Sequence, residues 1–338
     1  MSFTIDVYRG DLVESRHRVS CCVVRPDGTV VASSGDPDLV TYWRSSAKPF
    51  QAIPLVAEGG ADALGLTDDE VVLTCASHNG EPAHVELART LLARSGAGPD
   101  DLVCGPHPSL SGEVAKDMAA RGEKPTRLHS NCSGKHAGMI ALGRFKGWGS
   151  GGYQQPAHPV QRRCLAEVAA WTGLHVDDVP HGTDGCGVPS FALPLNAMAV
   201  AYARLGAALK GDAVPGIGEA SRAAAVRILT AVCARPFLVA GTGRLDTELL
   251  EATQGRAFAK VGAEGVYGAT IPELRLGLAL KVEDGGARAL GAALLALLDA
   301  IAPGLVPDLE GQHEPGVLNT RGEPVGRVAA RVELERTA

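Results

Sequence analysis

The stretch Arg44-Ser45-Ser46-Ala47-Lys48-Pro49-Phe50 organises the reading of this chain. Ser45 and Lys48 stand three apart, so a helix beginning here sets a hydroxyl and an amine on one face. Pro49 suits only a first helical turn, where a missing N–H costs nothing. The serine then lies where free backbone N–H groups and the helix dipole favour a developing oxyanion. A serine hydroxyl is a weak nucleophile at neutral pH, and a lysine serves as its base only when burial or nearby positive charge keeps part of the amine neutral. Ser46 is the rival hydroxyl, but its partner three positions on is Pro49. Ser-x-x-Lys also recurs by chance, so the assignment needs further elements.

The 338 residues suggest two lobes or one large domain, with ample apolar content for a core. A net charge of -6 and the lack of any basic block speak against nucleic acid or an anionic membrane, and for a small-molecule partner. Asp6, Asp11 and Glu14 in the first fifteen residues are unlike a signal peptide. The apolar tract Ala289 to Leu298 stops at Asp299, too short to span a bilayer, and a cytoplasmic location is expected. In that setting the eight cysteines, none in a Cys-x-x-Cys pair, are reduced thiols and mostly small core residues.

Along the chain, alternating segments from Phe3 to Ser33 and the Asp27-Gly28 turn read as antiparallel strands. A buried helix follows Lys48, with Pro54 kinking it and Gly59-Gly60 ending it. Val71 to Ala76 leads into the turn-like Ser77-His78-Asn79-Gly80, and helices follow from Val85 to Leu92 and near Glu113 to Ala120. The cluster His129-Ser130-Asn131-Cys132-Ser133-Gly134-Lys135-His136 abuts apolar Met139 to Leu142, as a pocket wall does. Gly147 to Gln155 reads as a flexible loop, Val160 to Trp171 as an amphipathic helix closed by Gly173, and Phe191 to Leu205 as a central helix. After a helix from Arg222 to Cys233, strands are expected at Phe258 to Gly262, Gly265 to Gly268 and Leu274 to Val282. A helix from Gly286 to Ile301 comes next, and the tail beyond Pro303 reads as an excursion with a last strand at Arg327 to Leu334. Strands open and close the chain while helices fill its middle. The fold class is therefore α+β. Residues 1–75 and 235–338 form a sheet lobe, and residues 76–234 form a mostly helical lobe carrying the second serine.

Ser45-x-x-Lys48, Ser77-x-Asn79 and Lys260-x-Gly262 occur in that order, which is similar to the three-part signature of penicillin-recognising serine enzymes. The first two parts lie closer together than is usual there, against a β-lactam substrate. A fuller match exists. The blocks at Arg44 to Phe50, Cys75 to Glu81, Cys104 to His107, His129 to His136 and Gly182 to Pro189 resemble the thermolabile bacterial L-asparaginase II family, the Rhizobium type. The likeness runs from Val7 to Ile301.

That resemblance implies a fold like that of serine β-lactamases and glutaminases, an antiparallel sheet flanked by helices in an αβα sandwich beside a helical lobe. It implies a homodimer and hydrolysis of asparagine to aspartate and ammonia. It pairs Ser45 with Lys48 and Ser77 with Lys260, and it gives Cys132, Lys135 and Cys186 as ligands of a zinc ion, for which a role in positioning substrate is expected here. From the residues alone, Cys132 and Cys186 read as well as two buried thiols, and His129, His136 or His181 as metal ligands. The expected chemistry has Lys48 take the Ser45 proton, three clustered lysines depressing one another's basicity, and Ser77 pass a proton to departing ammonia. Arg44 is assigned to the substrate α-carboxylate and Asp184 to its α-ammonium, although Arg44 also suits a surface ion pair and Asp184 an Asx turn. Asn131, His136 and Glu264 complete the expected binding set. The rivals are a glutaminase, a penicillin-recognising acylase and a zinc-stabilised amino-acid sensor.

Overall fold

The computed structural model describes residues 2–306 and 309–337, so part of the expected excursion beyond Pro303, at 307–308, lies outside the described residues. The chain divides into two compact units: Met1–Ser46 with Leu193–Lys210 and Glu248–Ala338, and Ala47–Ala192 with Gly211–Thr247. The division thus falls at 46/47 and 247/248 instead of 75/76 and 234/235. Residues 193–210, expected in the helical lobe, belong with the sheet.

The first unit is built on an antiparallel sheet. In spatial order its main path runs Gly316–Leu318, Pro324–Arg331, Phe3–Arg9, Leu12–Val24, Leu276–Val282, Val266–Ile271 and Phe258–Gly262. Val30–Ser34 also pairs with Leu12–Val24. The last long strand is Pro324–Arg331, where Arg327 to Leu334 was expected.

The burial pattern explains the sheet. Leu12–Val24 alternates between exposed and covered residues in its first half, then is buried at every position from Val19 onward. Leu276–Val282 is buried throughout, as a strand covered on both faces must be. On one face the helix Leu195–Leu209 comes so close that only glycine fits beneath it. A Cβ on Gly277 would stand 2.1 Å from the Ala199 carbonyl oxygen, and one on Gly268 2.1 Å from the Tyr202 ring. Alternation sends Leu276, Leu278 and Leu280 to the opposite face, where the leucine-rich helix Ala287–Ile301 packs on the same strands.

The second unit is mostly helical: Lys48–Ala57, Asp68–Cys75, Pro82–Arg94, Gly112–Ala120, Ser133–Phe145, Pro159–Thr172 and Glu219–Ala234. Lys48–Ala57 is buried from Lys48 to Leu55, as its apolar sequence demands, and Ser133–Phe145 from Ser133 to Gly143. Gly134 lets the latter helix lie against Asp68–Cys75, since a Cβ there would be 2.2 Å from the Leu73 carbonyl oxygen. Two expectations change. The apolar run from Phe191 to Leu205 is a strand, Pro189–Pro194, followed by the helix Leu195–Leu209; Pro194 takes an extended conformation at the helix N-cap and separates the two. The loop at 147–155 is turn-rich, but Tyr153 anchors it in the core at 1 % exposure. No helix among the described residues is long and apolar enough to cross a membrane.

The glycine contacts give a sharp test. Gly277→Ala should destabilise the protein by about 3 kcal/mol or more, because the obstruction is backbone and cannot swing away. Gly98→Ala, with nothing within 4 Å of the added carbon, should stay within about 0.5 kcal/mol of the parent in urea unfolding.

Candidate active site

Within the helical unit, several chemistry-bearing side chains share one buried neighbourhood. Lys48 opens its helix, is 0 % exposed and directs its amine at three acceptors. Nζ donates to the Ala76 carbonyl at 2.7 Å, the Asn131 carbonyl at 3.2 Å and the Ser77 hydroxyl at 2.8 Å. The lysine expected to serve Ser45 is therefore hydrogen-bonded to Ser77, the serine that the resemblance pairs with Lys260. Ser77 follows the helix Asp68–Cys75 on an extended segment, with its N–H bonded to the Val239 carbonyl and the N–H of Asn79 to that of Ala240. Arg244 donates to the Asn79 side-chain oxygen at 3.0 Å, which fixes the turn further.

His78, which sequence reasoning passed over, holds this turn from behind. Its Nδ1 accepts the Gly80 N–H at 3.1 Å, so Nε2 carries the proton and donates to Ser133 Oγ at 3.0 Å. Its ring stacks on His84 at 4.9 Å, and His84 stacks on Phe237 at 4.8 Å. Burial, then the neighbouring His84 and Lys48, hold the His78 imidazole well below its ordinary pKa, and burial lowers that of His84. His107, also unforeseen, accepts the Asn131 N–H at 2.9 Å; its Nδ1–H is committed to the Pro108 carbonyl at 2.7 Å. Asn131 therefore supplies its backbone carbonyl to Lys48 while His107 fixes its position.

Cys132, Lys135 and Cys186 converge. The Lys135 amine lies 3.1 Å from Cys186 Sγ, and the Cys132 thiol hydrogen-bonds the same sulfur. That bond pulls the Cys186 thiol down to about 5, with Lys135 assisting against burial. The same bond and burial push Cys132 up to about 12. Cys186 is thus the more acidic of the two sulfurs, beside the Lys135 amine. Burial opposes the charged form of that amine, but Cys186, Cys132 and Asp184 outweigh it and hold Lys135 above the usual lysine range. The expectation that clustered lysines depress one another fails for Lys135, because its nearest charges are anionic. Two sulfurs and an amine suit a soft, borderline ion such as zinc, provided that the thiol and ammonium protons leave. Among the described residues, no group of three or more His, Cys, Asp or Glu is assembled for a metal.

Asp184 Oδ1 accepts the N–H of the next residue, Gly185, at 2.7 Å, and its charge also acts on Lys135 and Cys186. The buried His136 takes a hydrogen bond between Nδ1 and the Tyr153 hydroxyl at 2.6 Å. Burial first, then Lys135, lowers its pKa to about 3. His129 is half-buried and His181 exposed, and His129 Nδ1 is engaged by Thr126.

In the sheet unit, Lys260 is 0 % exposed on the strand Phe258–Gly262 and lies opposite Gly268, which lies opposite Ala279. Residues in register share a face, so Lys260 emerges on the side of Tyr202, and Gly262, two residues on, does the same. A Cβ on Gly262 would meet Ser46 Oγ and the Trp43 carbonyl at 2.9 Å, so the turn bearing Ser45 lies over this face. Ser46 is consumed structurally, donating to the Lys260 carbonyl at 2.8 Å. Ser45 is half-buried on the 3-10 turn Arg44–Ala47. Arg44 and Glu264 both adopt left-handed backbone, φ 53 and 61, a strained choice for non-glycine residues. The Glu264 carboxylate lies against Gly285 and favours the charged form of Lys281.

The L-asparaginase II family model matches residues 5–330, nearly the whole chain. The chain belongs to the L-asparaginase II family. Comparison with curated proteins finds no match. Among solved structures the chain is similar to Mglu in its tris and glutamate form, with 14% identity and a TM-score of 0.40 over 88% of this chain and 62% of that one. It spans about three fifths of Mglu. It is also similar to a β-lactamase from Mycobacterium bovis, with 18% identity and a TM-score of 0.44 over 83% of this chain and 94% of that one.

The buried imidazoles set a pH dependence. His78 and His84 take up protons more readily unfolded than folded, so their contribution is whole above the unfolded pKa of about 6.5 and is lost as pH falls below it. The urea midpoint should drop between pH 7.5 and 5.5, by up to about 1.4 kcal/mol per pH unit for each histidine in the acid part of that range. Cys186 adds to the same slope. His84→Phe, which keeps the stack, should make it shallower, and an unchanged slope would contradict the assignment.

Proposed function

We propose that the protein hydrolyses the side-chain amide of L-asparagine to L-aspartate and ammonia through a serine acyl-enzyme with Lys48 as general base. The observation that carries this reading is the Lys48 amine 2.8 Å from Ser77 Oγ, with the Ala76 and Asn131 carbonyls as its other acceptors. Carbonyls only accept, so toward them Lys48 is a donor, whereas a hydroxyl can also give its proton to the lone pair of a neutral amine. The hydrogen bond to Ser77 lets Lys48 hand a proton on to that hydroxyl.

With Ser45 as the attacking hydroxyl, its proton passes to Lys48 and then through Ser77 to the departing ammonia. In this scheme Lys48 supplies the proton relay. Arg44 and Asp184 remain assigned to the carboxylate and ammonium of the amino acid. Asparagine and glutamine differ by one methylene, worth about 1 to 3 kcal/mol of discrimination in an apolar pocket, so glutamine is the second substrate to be tried.

An ammonia-release assay with both amides decides. The parent should hydrolyse asparagine, with a rate climbing from pH 7 into the alkaline range as a lysine base requires. Ser45→Ala and Lys48→Met should each lower kcat by about 10³-fold or more, and Ser77→Ala by about 10² to 10⁴-fold. A parent that releases ammonia from neither amide would end the hydrolase reading, and a Ser45→Ala variant with full activity would end the role given to Ser45.

Zinc belongs to the same proposal, held by Cys132, Lys135 and Cys186. When bound it supplies a fixed positive charge that orients the polar ends of the substrate. Chelation should raise KM while leaving most of kcat, and metal analysis of Cys186→Ser should find the zinc lost. A complete, reversible loss of turnover on chelation would contradict a positioning role.

A further inference from the structure

We propose that Tyr153 is a positioning residue that holds His136 as its Nε2–H tautomer, so that this buried N–H donates to an oxygen of the amino-acid substrate. The substrate class rests on the amidohydrolase reading above; the tautomer does not.

The argument is a count of protons. The Val103 N–H donates to the Tyr153 hydroxyl oxygen at 3.1 Å, and His136 Nδ1 lies 2.6 Å from that oxygen. Tyr153 is 1 % exposed, and its ring meets that of His136 edge-on, with centroids 5.6 Å apart. If Nδ1 carried the imidazole proton, the phenol oxygen would accept two N–H groups and its own proton would be stranded in the core. Such a stranded donor suffers its full desolvation penalty. The phenol therefore donates to Nδ1, and the neutral ring bears its proton on Nε2.

That Nε2–H is buried and has no hydrogen-bond partner among the described residues. Buried donors are nearly always satisfied, and an exception calls for a missing acceptor. The groups whose charges act on the ring are Lys135, Cys132, Lys48 and Asp184, the same neighbourhood as the serine–lysine contact. Lys135 among them is held as a cationic amine, so the acceptor that fits best is a carboxylate or amide oxygen. The tautomer also removes His136 from the set of metal donors, because its Nε2 has no lone pair to offer.

The test is nitrogen NMR of the full chain labelled in histidine, with L-aspartate as the probe, alongside kinetics. His136 should show a protonated Nε2 and an unprotonated Nδ1, and L-aspartate should shift the Nε2–H signal. Tyr153→Phe should mix the tautomers and lower kcat/KM for asparagine about 10-fold. His136→Gln, which presents an amide donor near the place of Nε2, should retain more activity than His136→Leu. An Nδ1–H tautomer in the parent would overturn the proposal. So would an Nε2–H signal that L-aspartate leaves in place, whether that signal reports a trapped water or no ligand. Failure of the parent to release ammonia would strike the amidohydrolase reading alone, since the tautomer and the aspartate titration are read without turnover.

Discussion

A lysine buried to 0 % exposure is tolerable only if its nitrogen is fully hydrogen-bonded, and Lys48 meets that condition with groups from two distant turns. The Ala76 and Ser77 acceptors end one helix, and the Asn131 carbonyl precedes another. Much of the helical unit can be understood as holding these acceptors still. Val239 and Ala240 pair with the backbone after Ala76, His107 fixes Asn131, and Gly134 lets the two helices approach until a methyl group would no longer fit. Moving any of them would leave a buried amine short of a partner, at a cost of about 1 to 3 kcal/mol for the lost bond alone.

The second buried lysine is handled differently, and the contrast separates their chemistry. Lys135 faces the sulfurs of Cys186 and Cys132, which reinforce its protonated state. Lys48 donates to two carbonyls and a hydroxyl. Similar residues in one buried neighbourhood are thus sorted by their partners.

The fold was largely legible in the sequence where a local rule sufficed. Alternation and the Asp27-Gly28 turn gave the opening strands, Pro49 gave the start of the Lys48 helix, and Gly173 marked the end of Pro159–Thr172. The run from Phe191 to Leu205 was misread because a buried strand and a buried helix are equally apolar, and only Pro194 betrays the change. In the site, residue types were visible but pairings were not. Spacing put Ser45 beside Lys48, yet the hydrogen bond to Ser77 joins residues 29 apart. Tyr153 lay hidden because a single aromatic among glycines reads as a loop; its weight comes from Val103 and His136, neither near it in sequence.

The glycines of the sheet unit bear on how its own lysine is presented. Lys260, Gly268 and Ala279 form one row across three strands, and two of these residues are small or lack a side chain. Tyr202 fills the space above Gly268, and its hydroxyl donates to the Ser46 carbonyl at 2.8 Å. The turn that carries Ser45 is thereby held at two points, through Ser46 Oγ to the Lys260 backbone and through the Ser46 carbonyl to Tyr202. Ser46 is thus the clamp and Ser45 the residue left beside it on a fixed turn.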